Sequence, residues 1–404
     1  MIIAYTVFDG CIPIHRYRST ALSLILLGGN LTISSSSKMF IFEHNYLYNR
    51  LNKMNNISVK ALGLSVMSLF MGACNSSSVA KMIQASGRPG EVMLVMDGPL
   101  FETQQTYSLI DILSKPASGL PQEESQLKIT SRVPKTSFDG MMQRARNILM
   151  VDVDSTRFSK SSVKYTYNEW ADGQLVVTLS TPSLASLASY MKQNQESVSN
   201  LFVRHELYRF GCNVEETYSK LVEEKVDSMF HYRINVPHDI RSSKVGKNFL
   251  WFSNAQMGGR HDLLVYTFPY KNKKDLFVDR LIEVRDSVLK ANIPGEFDGT
   301  YPSTVKTGWV YRKVTLPDEA YRGELRGLWQ MEGGAMMGGP FVLQALHNEK
   351  DGLVYVFDTF VYKPNEDKLN LVRAMEATLY SVRPSDIKKF DPKLILSTTY
   401  SKSF

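Results

Sequence analysis

The chain has 404 residues, with 47 Lys and Arg against 40 Asp and Glu, 43% hydrophobic residues and 22% charged residues. That balance excludes disordered, collagen-like and coiled-coil chains. The length points to two domains, each large enough to bury a core without disulfide or metal staples.

From Met54 to Cys74 the chain reads MNNISVKALGLSVMSLFMGAC. A polar stretch with Lys60 precedes the apolar run Ala61 to Met71, and the small pair Gly72-Ala73 stands directly before Cys74. This is the shape of a secretory signal peptide, and it is shorter than the roughly 20 apolar residues that a spanning helix needs. Ending on Gly-Ala-Cys, it resembles the lipobox of bacterial lipoproteins. The resemblance implies that Cys74 becomes the acylated first residue of the mature chain. A buried helix with a buried thiol is the alternative, and the polar Asn75-Ser76-Ser77-Ser78 tether that follows speaks against it. The reading therefore makes residues 1–53 a non-native upstream extension without helical or strand period, 54–73 the signal peptide and 74–89 a tether. A genuine amino-terminal extension is the other account of residues 1–53.

Without residues 1–73 the charge falls to 41 basic against 38 acidic residues. The remaining Lys and Arg are scattered among acids, with no basic stripe interleaved with aromatics, so nucleic acid is disfavoured as a partner. Of three cysteines, Cys11 lies in the extension and Cys74 is the lipidation candidate. Cys212 is left without a disulfide partner and reads as a small buried hydrophobe rather than a reactive thiol.

From residue 90 the expected fold is α/β. The run Glu91 to Asp97 suits a strand buried on both faces, followed by a helix over Thr106 to Leu113. A strand over Gln126 to Val133 comes next, and Pro134-Lys135-Thr136-Ser137 is expected to cap a helix through Arg146. Asn147 to Asp154 is a second buried strand. Val163 to Trp170 and Gln174 to Ser180 flank the hairpin signal Ala171-Asp172-Gly173. Residues 184–228 read as helix, with Gly211 expected to interrupt or bend it.

Residues 230–404 form the second expected domain, an α+β unit with an antiparallel sheet covered on one face. Its strands are placed at Tyr232–Pro237, Asn248–Phe252, Asp262–Phe268, Gly308–Thr315, Glu324–Glu332, Gly338–His347 and Leu353–Tyr362. Helices are expected at Lys274–Lys290 and Lys368–Val382. With Ile-Asn-Val-Pro at its start and a helix at its end, this half resembles the PsbP/Mog1-like fold. Over residues 85–385 the strings Gly87-Arg88-Pro89-Gly90-Glu91-Val92, Arg285-Asp286-Ser287-Val288 with Asn292-Ile293-Pro294-Gly295, and Arg326-Gly327-Leu328-Trp329 with Met337-Gly338-Gly339-Pro340-Phe341 resemble Bacteroidetes lipoproteins of the domain-of-unknown-function 4837 family. The resemblance implies an envelope lipoprotein with no established activity, and it carries no catalytic residues over.

Read on their own, Asp97, Asp152 and Asp154 end apolar runs. On parallel neighbouring strands they would meet at the carboxyl edge of the sheet, where a hard cation could sit; turn capping is the plainer reading. His205-Glu206 lacks the second histidine of a zinc-protease motif, since Arg209 stands in its place. His238-Asp239 and His261-Asp262 are adjacent pairs whose side chains point to opposite faces of a strand, so neither is a dyad by itself. No nucleophile elbow, phosphate loop or dinucleotide fingerprint is present, so no cofactor or metal is expected. Residues 332–340 read as a glycine-rich hairpin loop, or as a methionine rim around a binding surface. The aromatics Trp251, Trp309 and Trp329 are the remaining binding candidates, for stacking on sugars or gripping a peptide. Two functions follow. One is a noncatalytic envelope protein, anchored through lipid on Cys74, that binds a protein or cell-wall partner. The other is an envelope hydrolase using the aspartates or the histidine region.

Overall fold

The computed structural model describes residues 23–27, 30–34, 82–256, 258–317, 321–334 and 336–401. The chain divides into two units, Met1–Lys81 and Met82–Phe404. In the first, β1 (Ser23–Leu27) and β2 (Asn30–Ser34) form an antiparallel hairpin with Leu27 opposite Asn30. This corrects the expectation of no strand period there. An unbroken Leu-Ile-Leu-Leu run followed by Gly28-Gly29 has the composition of a strand and a two-residue hairpin link. The signal segment, Cys74 and the tether as far as residue 81 lie outside the described residues. Among those described, no helix is long and apolar enough to cross a membrane.

The second unit begins with β3 (Glu91–Met96), α1 (Gln104–Leu113), β4 (Lys128–Pro134), β5 (Asn147–Val153), β6 (Ser162–Tyr167) and β7 (Leu175–Thr181). They build a sheet in the order β4-β3-β5-β7-β6. β3 pairs in parallel with β4 and β5, β5 pairs in parallel with β7, and β6 returns antiparallel. The continuous apolar runs of β3 and β5 are explained by burial on both faces. Leu94 and Leu149 pack under α1 and the following helix, while Val95 and Ile148 face a smaller cluster with Val133 and Val176.

The helix expected after Pro134 does not form. Residues 135–137 and 142–144 make single 3-10 turns, and between them Gly140 takes φ +52, which a continuing helix cannot hold. α2 (Leu184–Glu216) is capped by Ser183, whose side chain accepts from the Ser186 N–H. Its kink falls at Asn194, not at Gly211. The Asn194 side chain donates to the Tyr190 carbonyl and competes with the helical ladder. Gly211 stays helical because another element lies on it: an added Cβ would be 2.9 Å from Ile395 Cδ1.

α3 (Lys220–Phe230) leads to β8 (Tyr232–Arg233), which pairs antiparallel with β17 (Arg383–Pro384) and is shorter than the strand expected there, because the chain then turns so that Ser381 binds the Asn235 N–H. The second sheet contains β9 (Ser242–Gly246), β10 (Phe249–Ser253), β11 (Arg260–Pro269), β12 (Tyr301–Thr304), β13 (Val310–Thr315), β14 (Tyr321–Glu332), β15 (Gly338–Asn348), β16 (Leu353–Tyr362) and β18 (Thr399–Ser401). Its order is β18-β13-β14-β15-β16-β11-β10-β9, with β12 also on β14. All its pairings are antiparallel. The mixed architecture is thus a parallel-type α/β sheet followed by an antiparallel α+β sheet.

One correction concerns coverage. Helix α4 (Val278–Asn292) packs on the face of Phe249, Leu264, Tyr266 and Leu343, whereas α3 and α5 (Leu369–Leu379) pack on the face of Leu250, Phe252, Val265 and Phe357. The sheet is covered on both faces, because strands such as β16 are apolar at nearly every position rather than at alternate ones. A further cluster of Leu207, Val314, Ala377, Tyr380 and Ile395 packs α2 against α5 and α6 (Lys393–Ser397).

Candidate binding site

Helix α4 stops at Asn292, where Pro294-Gly295 cannot continue it, and it leaves one end of its sheet face uncovered. Strand register decides what is left there. Lys244 on β9 stands opposite Trp251 on β10, and Arg260 on β11 stands opposite Tyr362 on β16. Beneath them, the fully buried Asp262 carboxylate accepts from Trp251 Nε1 at 2.8 Å and from Arg260 Nε and one terminal nitrogen at 2.9 and 3.0 Å. The guanidinium so held lies over the Trp251 ring, with 5.5 Å from Cζ to the centroid.

The far wall is Trp329 on β14. Its indole crosses β15 at Gly339 and donates to the Val361 carbonyl on β16 at 3.1 Å. Only a residue without a side chain fits below it, since a Cβ on Gly339 would meet Val361 O at 2.0 Å and Trp329 Nε1 at 3.2 Å. Phe360 meets the indole edge-on at 5.5 Å. Together with Ile293, Pro302, Met331 and Met337 these residues enclose a lobe of about 160 Å³. A second lobe of about 420 Å³ shares Trp251, Arg260, Met337 and Tyr362 and continues past Ser242, Lys244 and Gln256.

Residues 219–381, which contain this whole site, match the family model Domain of unknown function (DUF4837). A second model, Domain of unknown function (DUF8532), matches residues 85–215. The two matches meet between the end of α2 and the start of α3. The solution structure of cyanobacterial PsbP (CyanoP) from Synechocystis sp. PCC 6803 is similar over 38% of this chain and 86% of that one, at 10% identity and a TM-score of 0.25. No curated protein matches the chain.

The region that matches the first model brings together two of the three sequence-predicted tryptophans, Trp251 and Trp329. Trp309 lines a different groove, of about 1000 Å³, with Tyr165, Tyr190 and Tyr400. The glycine-rich stretch is a hairpin connection with Gly333 and Gly334 at positive φ, and one of its methionines, Met337, lines the cavity.

In the region that matches the second model, Asp97 and Asp152 do share one edge of the sheet, and Lys135 lies between them, its ammonium 3.3 Å from the first carboxylate and 2.6 Å from the second. Asp154 turns away to accept from the Thr156 hydroxyl and N–H and from the Arg157 N–H. The Thr156 hydroxyl in particular holds the Asp154 carboxyl below its usual range. Among the described residues, no group of three or more His, Cys, Asp or Glu side chains is placed to hold a metal ion. Cys212 is half-buried, and burial pushes its thiol up, as in an unreactive cysteine.

Sequence reasoning missed two polar clusters. His261 pairs through Nε2 with Asp239, 22 positions away, at 3.1 Å, and its Nδ1 faces the Asn254 amide and the Gly259 carbonyl. Both ring nitrogens are engaged, which suits a fixed loop anchor. The other cluster surrounds Glu206 on α2. Arg146, Asn147 and Arg209 all donate to its buried carboxylate, so Arg209, standing where a zinc motif needs histidine, is an ion-pair partner.

His205 beside it is buried, stacks on Tyr167 at 5.1 Å, and leaves Nδ1 without a hydrogen bond. Burial, with the nearby Arg209 charge, lowers its pKa from 6.5 to about 3. Unfolded chains take up that proton near 6.5, so the stabilisation present above pH 6.5 is lost as pH falls toward 3. This group is expected to remove about 3 kcal/mol of stability between pH 7 and pH 4. Urea titrations at both pH values should show a difference smaller by that amount in His205→Phe; an unchanged difference refutes the assignment.

Proposed function

We propose that the protein is a lipid-anchored envelope protein that binds a partner rather than transforming a substrate. Acyl chains on Cys74 hold it at the membrane, and the body presents the aromatic cavity of Trp251 and Trp329; the tether expected over residues 74–89 is shorter than that, because from Ile83 the chain is hydrogen-bonded to Asp172, Arg144 and Arg146 of the body. The anchoring reading rests on the signal-like sequence ending at Gly72-Ala73-Cys74 and on the likeness to envelope lipoproteins. That likeness also favours the outer membrane, with the body on the periplasmic side. The binding reading is carried by one observation. Two tryptophans and an arginine are locked in place by hydrogen bonds around a cavity that the nearest helix leaves open. Such rigid aromatic groups lose little conformational entropy on binding.

Each acyl CH₂ buried in the bilayer contributes about 0.8 kcal/mol, so several chains anchor firmly where one binds reversibly. Cys74→Ser is expected to release the body from membranes or leave it unprocessed. Cell fractionation with mass spectrometry of the amino terminus checks this, and unchanged membrane retention would defeat the anchoring reading. Crosslinking and pull-down from membranes should recover a stoichiometric partner, and that recovery should be lost in Trp329→Ala.

A further inference from the structure

We propose that the two-lobed cavity receives the carboxyl-terminal residue of a polypeptide whose last side chain is apolar and of leucine to phenylalanine size. This deepens the binding reading above and rests on it.

The smaller lobe, about 160 Å³, is close to the roughly 150 Å³ that holds one benzene ring and smaller than the roughly 300 Å³ at which drug-sized sites begin. Its walls are mainly Trp329, Phe360, Met331, Ile293 and Pro302, with Arg260 and Thr300 at its margin and Glu296 exposed on the rim. Hydrocarbon walls suit a hydrocarbon side chain.

The larger lobe adds charged and polar groups. Arg260 gives Asp262 its Nε and one terminal nitrogen, and its other terminal nitrogen makes no hydrogen bond among the described residues. Lys244 donates to the Asn292 carbonyl at 2.7 Å, a neutral acceptor, and makes no ion pair among the described residues. Ser242, Ser253 and Gln256 add hydroxyls and an amide. This set is complementary to a carboxylate.

The two lobes share Trp251, Arg260, Met337 and Tyr362. Because Arg260 lines both lobes, a carboxylate on its guanidinium and a side chain in the smaller lobe can belong to one terminal amino acid. The larger lobe borders β9, the last strand of its sheet among the described residues, whose outer edge offers the preceding residues an extended path.

Purified full-length protein is titrated with acetyl-Gly-Gly-Phe as the free acid, with its carboxamide, with acetyl-Gly-Gly-Ala acid and with a tetramer of N-acetylglucosamine, by calorimetry and tryptophan fluorescence. The free acid is expected to bind and shift the tryptophan emission, and the carboxamide and the alanine peptide to bind about tenfold more weakly or less. Lys244→Gln, at an exposed side chain, should weaken the acid severalfold and leave the carboxamide unchanged. Equal binding of acid and carboxamide overturns the inference, as does binding of the sugar tetramer in place of the peptides; both leave the cavity a binding site. Binding of none of the probes also overturns it, while recovery of a stoichiometric membrane partner by the unaltered protein decides the broader reading independently.

Discussion

Glu206→Ala is expected to destabilise the fold by about 3–5 kcal/mol, the usual cost of removing one partner from a buried ion pair. The carboxylate is fully buried and accepts from Arg146 Nε and its terminal nitrogen at 3.0 and 2.7 Å, from Arg209 at 2.7 Å and from Asn147 at 2.8 Å. Burial pushes its carboxyl up, but the Arg146 hydrogen bonds and the charges of Arg209 and Arg146 outweigh that and hold it at about 2. Alanine would strand two guanidinium groups, of which Arg209 is itself buried and also donates to the backbone carbonyls of Gly173 and Arg146. The loss would loosen α2 from the start of β5 and from the turn before β7. Because the folded carboxyl titrates below the unfolded value of 4.5, the stabilisation present above that pH fades as pH falls toward 2, so the variant should differ least from the parent in acid. Urea unfolding at pH 7 and at pH 3 measures both. A loss below about 1 kcal/mol at neutral pH would mean that the cluster does not hold the helix.

Gly339→Ala should cost about 3 kcal/mol, at the upper end of the range for overpacking a core. The added methyl group would stand 2.0 Å from the Val361 carbonyl oxygen, a backbone atom that cannot rotate away, so β15 and β16 must shift. It would also press on Trp329 Nε1 at 3.2 Å and displace the indole from its hydrogen bond to Val361. Stability and site should fail together, with a lower urea midpoint and altered tryptophan emission. Gly258→Ala is the control, since nothing lies within 4 Å of its added Cβ, and its effect should stay within about 0.5 kcal/mol. If both variants behave alike, the indole does not lie across Gly339.

Much of the secondary structure was legible because its signals are local. The unbroken apolar runs at Glu91 and Asn147 announced strands with two buried faces, and Ala171-Asp172-Gly173 announced the hairpin of β6 and β7. Asp154 caps a turn formed by the next few residues, as its neighbours suggested. β9, β12 and β18 were not foreseen, because three to five residues with little apolar alternation are strands only by virtue of the partner they pair with. The helix break at Asn194 rather than Gly211 has the same origin: Gly211 was judged without Ile395, which packs on it from nearly two hundred positions away.

The candidate site divides in the same way. Composition alone named Trp251, Trp309 and Trp329 as groups with large apolar surfaces, and the residue types around Cys74 carried the anchoring expectation. Which two tryptophans share a cavity depends on strand order, since β10, β11, β16, β15 and β14 lie side by side although their order in the sequence differs. The length of α4 then determines which end of their face stays open. Apolar period and turn chemistry act within a few residues and survive in a linear string. Register and helix coverage are set by contacts between residues tens to hundreds of positions apart, and those arise only when the sheet closes.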